Sequence, residues 1–178
     1  MCKASFFVLL LSVALLACSG STPEPPPLVD ALYLRYRVAS AIAGERLQDV
    51  GECVITASAD PEGAFTVVKK TILDGAGDTV RATVDGYFRL SMGGTMMGCN
   101  RAPMWLSPRQ LSANRIGSVG IVQAQQRWAG HAVYAVKENR TGRTLYYDTA
   151  TGLYVGDSFT LGSMRAETIL VEKKEAYK

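Results

Sequence analysis

The chain has 178 residues, 48% of them hydrophobic, with 19 Lys and Arg against 16 Asp and Glu and a formal net charge of +3. The near-balance leaves no footprint for nucleic acid, since the only dense basic cluster is Lys173, Lys174 and Lys178 at the C-terminal end. One His in the whole chain argues against a zinc site of Cys and His ligands. No Walker or dinucleotide motif is present, and neither metal nor cofactor is expected.

Met1, Cys2 and Lys3 precede an apolar run from Phe6 to Ala17 broken only by Ser12. A positive charge, a short apolar stretch and a small residue at its end describe a signal peptide over residues 1–17. A membrane span needs about 20 apolar residues, so this run is too short to be one. Leu15-Leu16-Ala17-Cys18 resembles the lipobox of prokaryotic lipoproteins. The resemblance implies that Cys18 becomes the first mature residue and carries the lipid, while Cys2 is discarded. It implies a cell-envelope protein held to a membrane on the extracytoplasmic side, the outer membrane if the host has one. An ordinary secreted protein is the alternative.

Residues 18–27 form the lipidated Cys and a tether. SGSTPEPPP favours extended polyproline II, and at ~3.1 Å per residue it would hold a domain roughly 25 Å from a bilayer. Residues 28–178 have the length of a single domain.

Within that domain, Leu32, Leu34, Tyr36 and Val38 alternate with Tyr33, Arg35 and Arg37, the period of a half-buried strand. Further strands are expected over Glu52 to Ala59 and Ala64 to Leu73, with Asp60-Pro61-Glu62-Gly63 as the turn between them. Asp74-Gly75-Ala76-Gly77-Asp78 lacks the spacing and final Glu of a calcium loop and reads as a β-turn. Asp85-Gly86 is a hairpin signal. Val80, Ala82, Val84, Phe88 and Leu90 nevertheless share one parity, which favours one long strand bent at Gly86.

Ser107-Pro108 is an N-cap followed by Pro at N1, opening the one helix, to about Asn114. Strands are expected at Ser118 to Gln123, Ala132 to Lys137, Thr144 to Asp148, Leu153 to Val155 and Ala166 to Glu172. The fold class is therefore mainly β: an antiparallel meander forming a strongly curved sheet or half-open barrel, with one short helix near 107–114. Uneven strand spacing argues against a transmembrane β-barrel.

Four features could carry chemistry. Cys53 and Cys99 form a disulfide candidate in an oxidising compartment, with two buried thiols as the equal alternative. The segment MGGTMMGCNRAPMWL places Met96, Met97, Met104 and Trp105 between a strand and the helix. Met lines adaptable surfaces, so these four mark a ligand or partner region, a flap over an apolar cavity; ordinary core packing is the alternative. Gly156-Asp157-Ser158 has the letters of the GDSL esterase block, but a serine nucleophile needs a positioned base. His131 precedes the block, no His follows it, and Ser158 reads as a hydroxyl on a loop leaving the strand at Val155. No catalytic residue is assigned and no enzyme is expected.

Tyr36 to Cys53, with Arg37-Val38 and Gly44-Glu45, resembles the opening strand and turn of DUF3108-type envelope proteins. Leu145-Tyr146-Tyr147-Asp148 followed by Thr151-Gly152-Leu153-Tyr154-Val155 is similar to a hairpin of the LolA/LolB-like carriers. The resemblance implies an incomplete barrel whose apolar groove holds acyl chains. Two functions stand: a lipid-anchored binding module for a lipid or lipoprotein acyl chain, and a structural or assembly lipoprotein that docks on another envelope protein.

Overall fold

The computed structural model of the protein describes residues 31–59, 65–84, 103–117, 119–139 and 141–176. The expected signal peptide, the Cys18 tether, the expected turn at Asp60-Pro61-Glu62-Gly63 and the expected continuation of the strand through Gly86 lie outside these residues.

Ten strands and one helix are described: β1 (Ala31–Ala41), β2 (Gln48–Ala59), β3 (Phe65–Leu73), β4 (Ala76–Val84), α1 (Pro108–Leu111), β5 (Arg115–Ile116), β6 (Gly120–Trp128), β7 (His131–Glu138), β8 (Thr144–Asp148), β9 (Tyr154–Leu161) and β10 (Met164–Ala176). They form one antiparallel sheet in the order β4-β3-β2-β1-β10-β9-β8-β7-β6-β5. Each strand pairs with its sequence neighbour, and β1 and β10 join the two halves. The order is linear, with β4 and β5 at its margins, so the curved sheet stays half-open, as the strand pattern predicts.

The alternation of β1 sets the two faces. Leu32, Leu34, Tyr36 and Val38 are buried on the inner face. Their odd-numbered neighbours face outward into a lattice of charge: Arg35 bonds Glu172 at 3.0 Å and lies 3.8 Å from Glu52, and Arg37 lies 3.4 Å from Asp49. Exposed pairs of this kind contribute about 0–1 kcal/mol each. The burial of the inner row does more. Register carries the inner face across the neighbouring strands, from Leu34 to Ile55, from Tyr36 to Cys53, and from Ala57 through Val67 to Ala82.

Two tight hairpins follow from local backbone chemistry. Asp74 and Gly75 have φ of 48° and 81° between the paired Leu73 and Ala76, the left-handed pair that a two-residue hairpin turn requires. Ala129 and Gly130 do the same between Trp128 and His131. The Asp74 segment is a turn, as expected. Val80, Ala82 and Val84 stand opposite Lys69, Val67 and Phe65 in the register.

Helix α1 starts where Ser107-Pro108 predicts. The Ser107 hydroxyl accepts from the Gln110 amide at 3.2 Å, and the Gln110 side chain accepts from the Ser107 amide at 2.9 Å, a closed capping box. It ends at Leu111 rather than near Asn114, with Ser112 as C-cap. Before it, Met104 to Leu106 runs beside the start of β9: the Leu106 amide donates to the Gly152 carbonyl and the Tyr154 amide to that of Met104. This segment fills the flank that β10 leaves open, because β10 pairs with β9 only as far as Ile169 and Gly156.

Strand lengths depart from the sequence pattern in one direction. β6 runs to Trp128 through Gln-Ala-Gln-Gln-Arg, and β10 covers Met164–Ala176. β9 does not stop at Val155 but continues to Leu161, which corrects the expectation of a loop at Gly156-Asp157-Ser158. Residue types that favour turns are held extended there by partners on both sides: Ser158 stands between Thr144 of β8 and Glu167 of β10.

Candidate functional site

The inner face is the region where apolar residues from most of the sheet converge. At its β8–β9 side it is filled. Tyr36, Tyr147 and Tyr154 are fully buried, with ring centroids 5.6 Å apart for Tyr36 and Tyr154 and 5.9 Å for Tyr147 and Tyr154. Their hydroxyls are not wasted: Tyr36 donates to the Tyr154 carbonyl at 2.9 Å and Tyr147 to the Pro103 carbonyl at 3.1 Å. Burial drives the Tyr147 phenol well above its ordinary pKa, which keeps it a neutral donor. Met104, Leu106 and Leu111 belong to the same cluster.

Toward β2 and β3 the inner face becomes an aliphatic wall of Leu34, Ile55, Ala57 and Val67. One residue breaks it: Lys69, only 4% exposed, stands between Ile55 and Val80 in the register.

Beneath the tyrosines lies a buried polar cluster that the sequence pattern does not reveal. Asp157 accepts from the Tyr154 hydroxyl, and the Arg143 guanidinium lies 3.5 Å away. Burial raises the Asp157 pKa above the ordinary carboxylate value; Arg143 and hydrogen bonds from Tyr154 and Thr168 pull it partly back. Arg143 also sits over the Phe159 ring at 5.6 Å. The available signal was an Asp flanked by Val155 and Phe159 in a strand-length stretch, a position that needs a cation when buried.

Each residue of the Gly-Asp-Ser block has a structural task. Gly156 makes room for Trp128, Asp157 pairs with Arg143, and the Ser158 hydroxyl shares a 2.9 Å hydrogen bond with the Tyr146 hydroxyl. Ser158 aligns through Thr144 with Lys137. His131 starts the same β7 strand six residues earlier, roughly 20 Å along it at strand rise. Ser158 and His131 are not assembled into a nucleophile and base.

The other candidate residues fall into two groups. Met104 is 1% and Trp105 7% exposed. The Trp105 indole N–H donates to the Thr151 carbonyl at 2.8 Å, so both support the β8–β9 connection. Cys53 is buried in the inner cluster and receives the Thr71 hydroxyl at 3.9 Å. Cys18, Met96, Met97 and Cys99 lie outside the described residues. A groove of about 470 Å³ opens on the opposite, outer face beside Tyr33, Thr56, Val68, Arg81 and Lys174.

No family model matches the chain, and no curated protein matches it. Among solved structures it is similar to LprF from Mycobacterium bovis, at 11% identity over 82% of this chain and 85% of that one, with a TM-score of 0.34. It is also similar to a putative outer membrane lipoprotein-sorting protein domain from Vibrio parahaemolyticus, at 10% identity, 84% and 87% coverage and a TM-score of 0.32. A third likeness is to a LolA superfamily protein from Nitrosomonas europaea, at 7% identity, 85% and 88% coverage and a TM-score of 0.27. At these scores none of the three carries an argument about what this chain binds.

Proposed function

We propose that the protein is a lipid-anchored component of the cell envelope whose β-domain is a non-enzymatic binding module for an apolar ligand, a lipid or lipoprotein acyl chain. The observation that carries this reading is the half-open, single-layer sheet with an inner wall of Leu34, Ile55, Ala57 and Val67. These residues are 0–4% exposed, so an acyl chain displaces what covers them before its own burial, at ~25 cal/mol per Å², is gained. The lipobox-like Leu15-Leu16-Ala17-Cys18 supports the anchor, and two or more acyl chains on Cys18 would make it stable.

Mass spectrometry of the protein purified gently from its native membrane tests the ligand. Stoichiometric lipid beyond the N-terminal anchor is the expected result, and its absence removes the reading. For the anchor, Cys18→Ala is expected to abolish labelling by fatty-acid analogues and to leave unprocessed precursor. Normal labelling of that variant would contradict it.

One observation favours the docking alternative. Ile42 and Leu161 are 64% and 52% exposed at hairpin turns that the β1–β10 register brings to the same end of the sheet, opposite the end where Ala31 meets Ala176. A co-purifying envelope protein released by Ile42→Ser and Leu161→Ser would support that function instead.

A further inference from the structure

We infer that the groove on the outer face is a binding site of its own, and that its ligand is an acidic polysaccharide: a chain of hydroxyl-bearing sugars with an anion at intervals. The inference is independent of the acyl-chain reading, which concerns the inner face.

The groove, of about 470 Å³, has the volume of a ligand site. Its floor is one row of the register: Lys174, Tyr33, Thr56, Val68 and Arg81, one residue from each of β10, β1, β2, β3 and β4. A cation closes each end, and the strand spacings between them put their backbones roughly 19 Å apart. Lys174 is held by two contacts: its ammonium bonds Glu172 at 2.7 Å and lies over the Tyr33 ring at 5.3 Å. Arg81 is exposed, and among the described residues no carboxylate stands within ion-pair distance of it. The acid of the lining, Glu175, is bonded to Lys173 at 2.6 Å. The groove therefore favours an anion.

Between the two cations the lining carries hydroxyls: Tyr33, Thr56 and, in the next row, the facing pair Ser58 and Thr66. The Thr56 hydroxyl reaches the Val68 carbonyl at 3.5 Å, which leaves its oxygen to accept. β1, β2 and β3 are paired on both sides, so their backbone groups are spent within the sheet and no peptide can add here as a strand. Recognition falls to side chains. Hydroxyls set between two cations match a ligand with many hydroxyls of its own and spaced anions. An acidic sugar chain has both; an acidic peptide has the anions alone.

The test uses the full chain and three soluble probes, a galacturonate hexamer, maltohexaose and a hexaglutamate peptide, with binding read by isothermal titration calorimetry. The uronate is expected to bind about 10-fold tighter than either of the others, or better. Arg81→Met is expected to weaken it about fivefold, the size of one exposed charge pair, and Thr56→Val to weaken it by a smaller factor. Both side chains are exposed, so neither variant disturbs the core, and thermal melts check this. Displacement of the uronate by phosphorylated dextran would assign phosphate as the anion, and its failure to compete would assign carboxylate.

Hexaglutamate binding as tightly as the uronate would reduce the groove to a cationic surface and overturn the sugar assignment. Maltohexaose binding as tightly would overturn the role of the two cations. A uronate that does not bind, or that binds Arg81→Met and Thr56→Val as it binds the parent, would overturn the site. None of these outcomes bears on the acyl-chain reading, which the lipid content of the purified protein decides separately.

Discussion

The indole of Trp128 lies flat on the phenol ring of Tyr146, with 4.1 Å between centroids and 16° between planes. Gly156, paired with Tyr146 in the register, is the floor beneath it. A β-carbon at Gly156 would come within 1.9 Å of the Thr168 carbonyl oxygen and 2.6 Å of the indole, and the residue has a φ of 147°. The stack, the backbone and the missing side chain are thus one arrangement.

Gly156→Ala is expected to destabilise the domain by about 2–4 kcal/mol, since overpacking and a strained backbone add. Urea unfolding followed by tryptophan fluorescence measures it. A change under 0.5 kcal/mol, about the size of a neutral surface substitution, would show that the stack is not tightly held.

Asp157→Asn keeps the shape of the side chain and removes its charge, so it mimics the protonated acid beside Arg143 at every pH. The pH dependence has a definite sign. Burial raises the folded-state pKa of Asp157 above 3.8, so the folded state holds this proton more tightly than the unfolded chain. Stability from this group is full below the unfolded pKa and declines as pH rises through the folded one. Measured from pH 3 upward (roughly the unfolded carboxylate pKa), the unfolding free energy of the parent is expected to fall relative to that of the variant, which lacks this titration. A parent that gains stability over the variant as pH rises through that window would contradict the assignment.

Ser158→Ala removes the 2.9 Å hydrogen bond to Tyr146, at a cost of about 0.5–1.5 kcal/mol. Hydrolysis of p-nitrophenyl butyrate is expected to be the same for parent and variant. Ester turnover lost in the variant would reinstate the serine as a nucleophile.

Ser107→Ala opens the capping box of α1 and is expected to cost about 1 kcal/mol. Leu111, held in the core by that single turn, is the reporter: Leu111→Ala is expected to cost about 2–5 kcal/mol. Thermal melts of both variants give the ratio, and a larger effect from the cap would mean that the helix, not its buried side chain, fastens the segment.

Local chemistry was legible where it decided the outcome. The alternation of Leu32 to Val38 marked β1 and its buried face, Thr144 to Asp148 matched β8 to the residue, and Ser107-Pro108 marked the start of α1. What escaped was set by partners far along the chain. Gly156, Asp157 and Ser158 have the residue types of a loop, and only Thr144 and Glu167 on either side keep them extended. The Arg143–Asp157 pair is invisible to periodicity because it depends on how a turn folds against a strand. Lys69 looks in sequence like one more charge in Val-Val-Lys-Lys-Thr; its place on the inner face follows from the parity it shares with Val67, but its burial needs neighbouring strands.

The meeting of β1 with β10 sets a timetable. Arg35 and Glu172, 137 residues apart in sequence, bond across this seam, and Ala31 pairs with Ala176. The two halves of the sheet cannot be zipped together until β10 has left the ribosome, and contacts of such long range form slowly. Because β10 is the last described strand, the pairing that closes the middle of the sheet becomes available only after β1–β4 and β5–β9 can already pair among themselves.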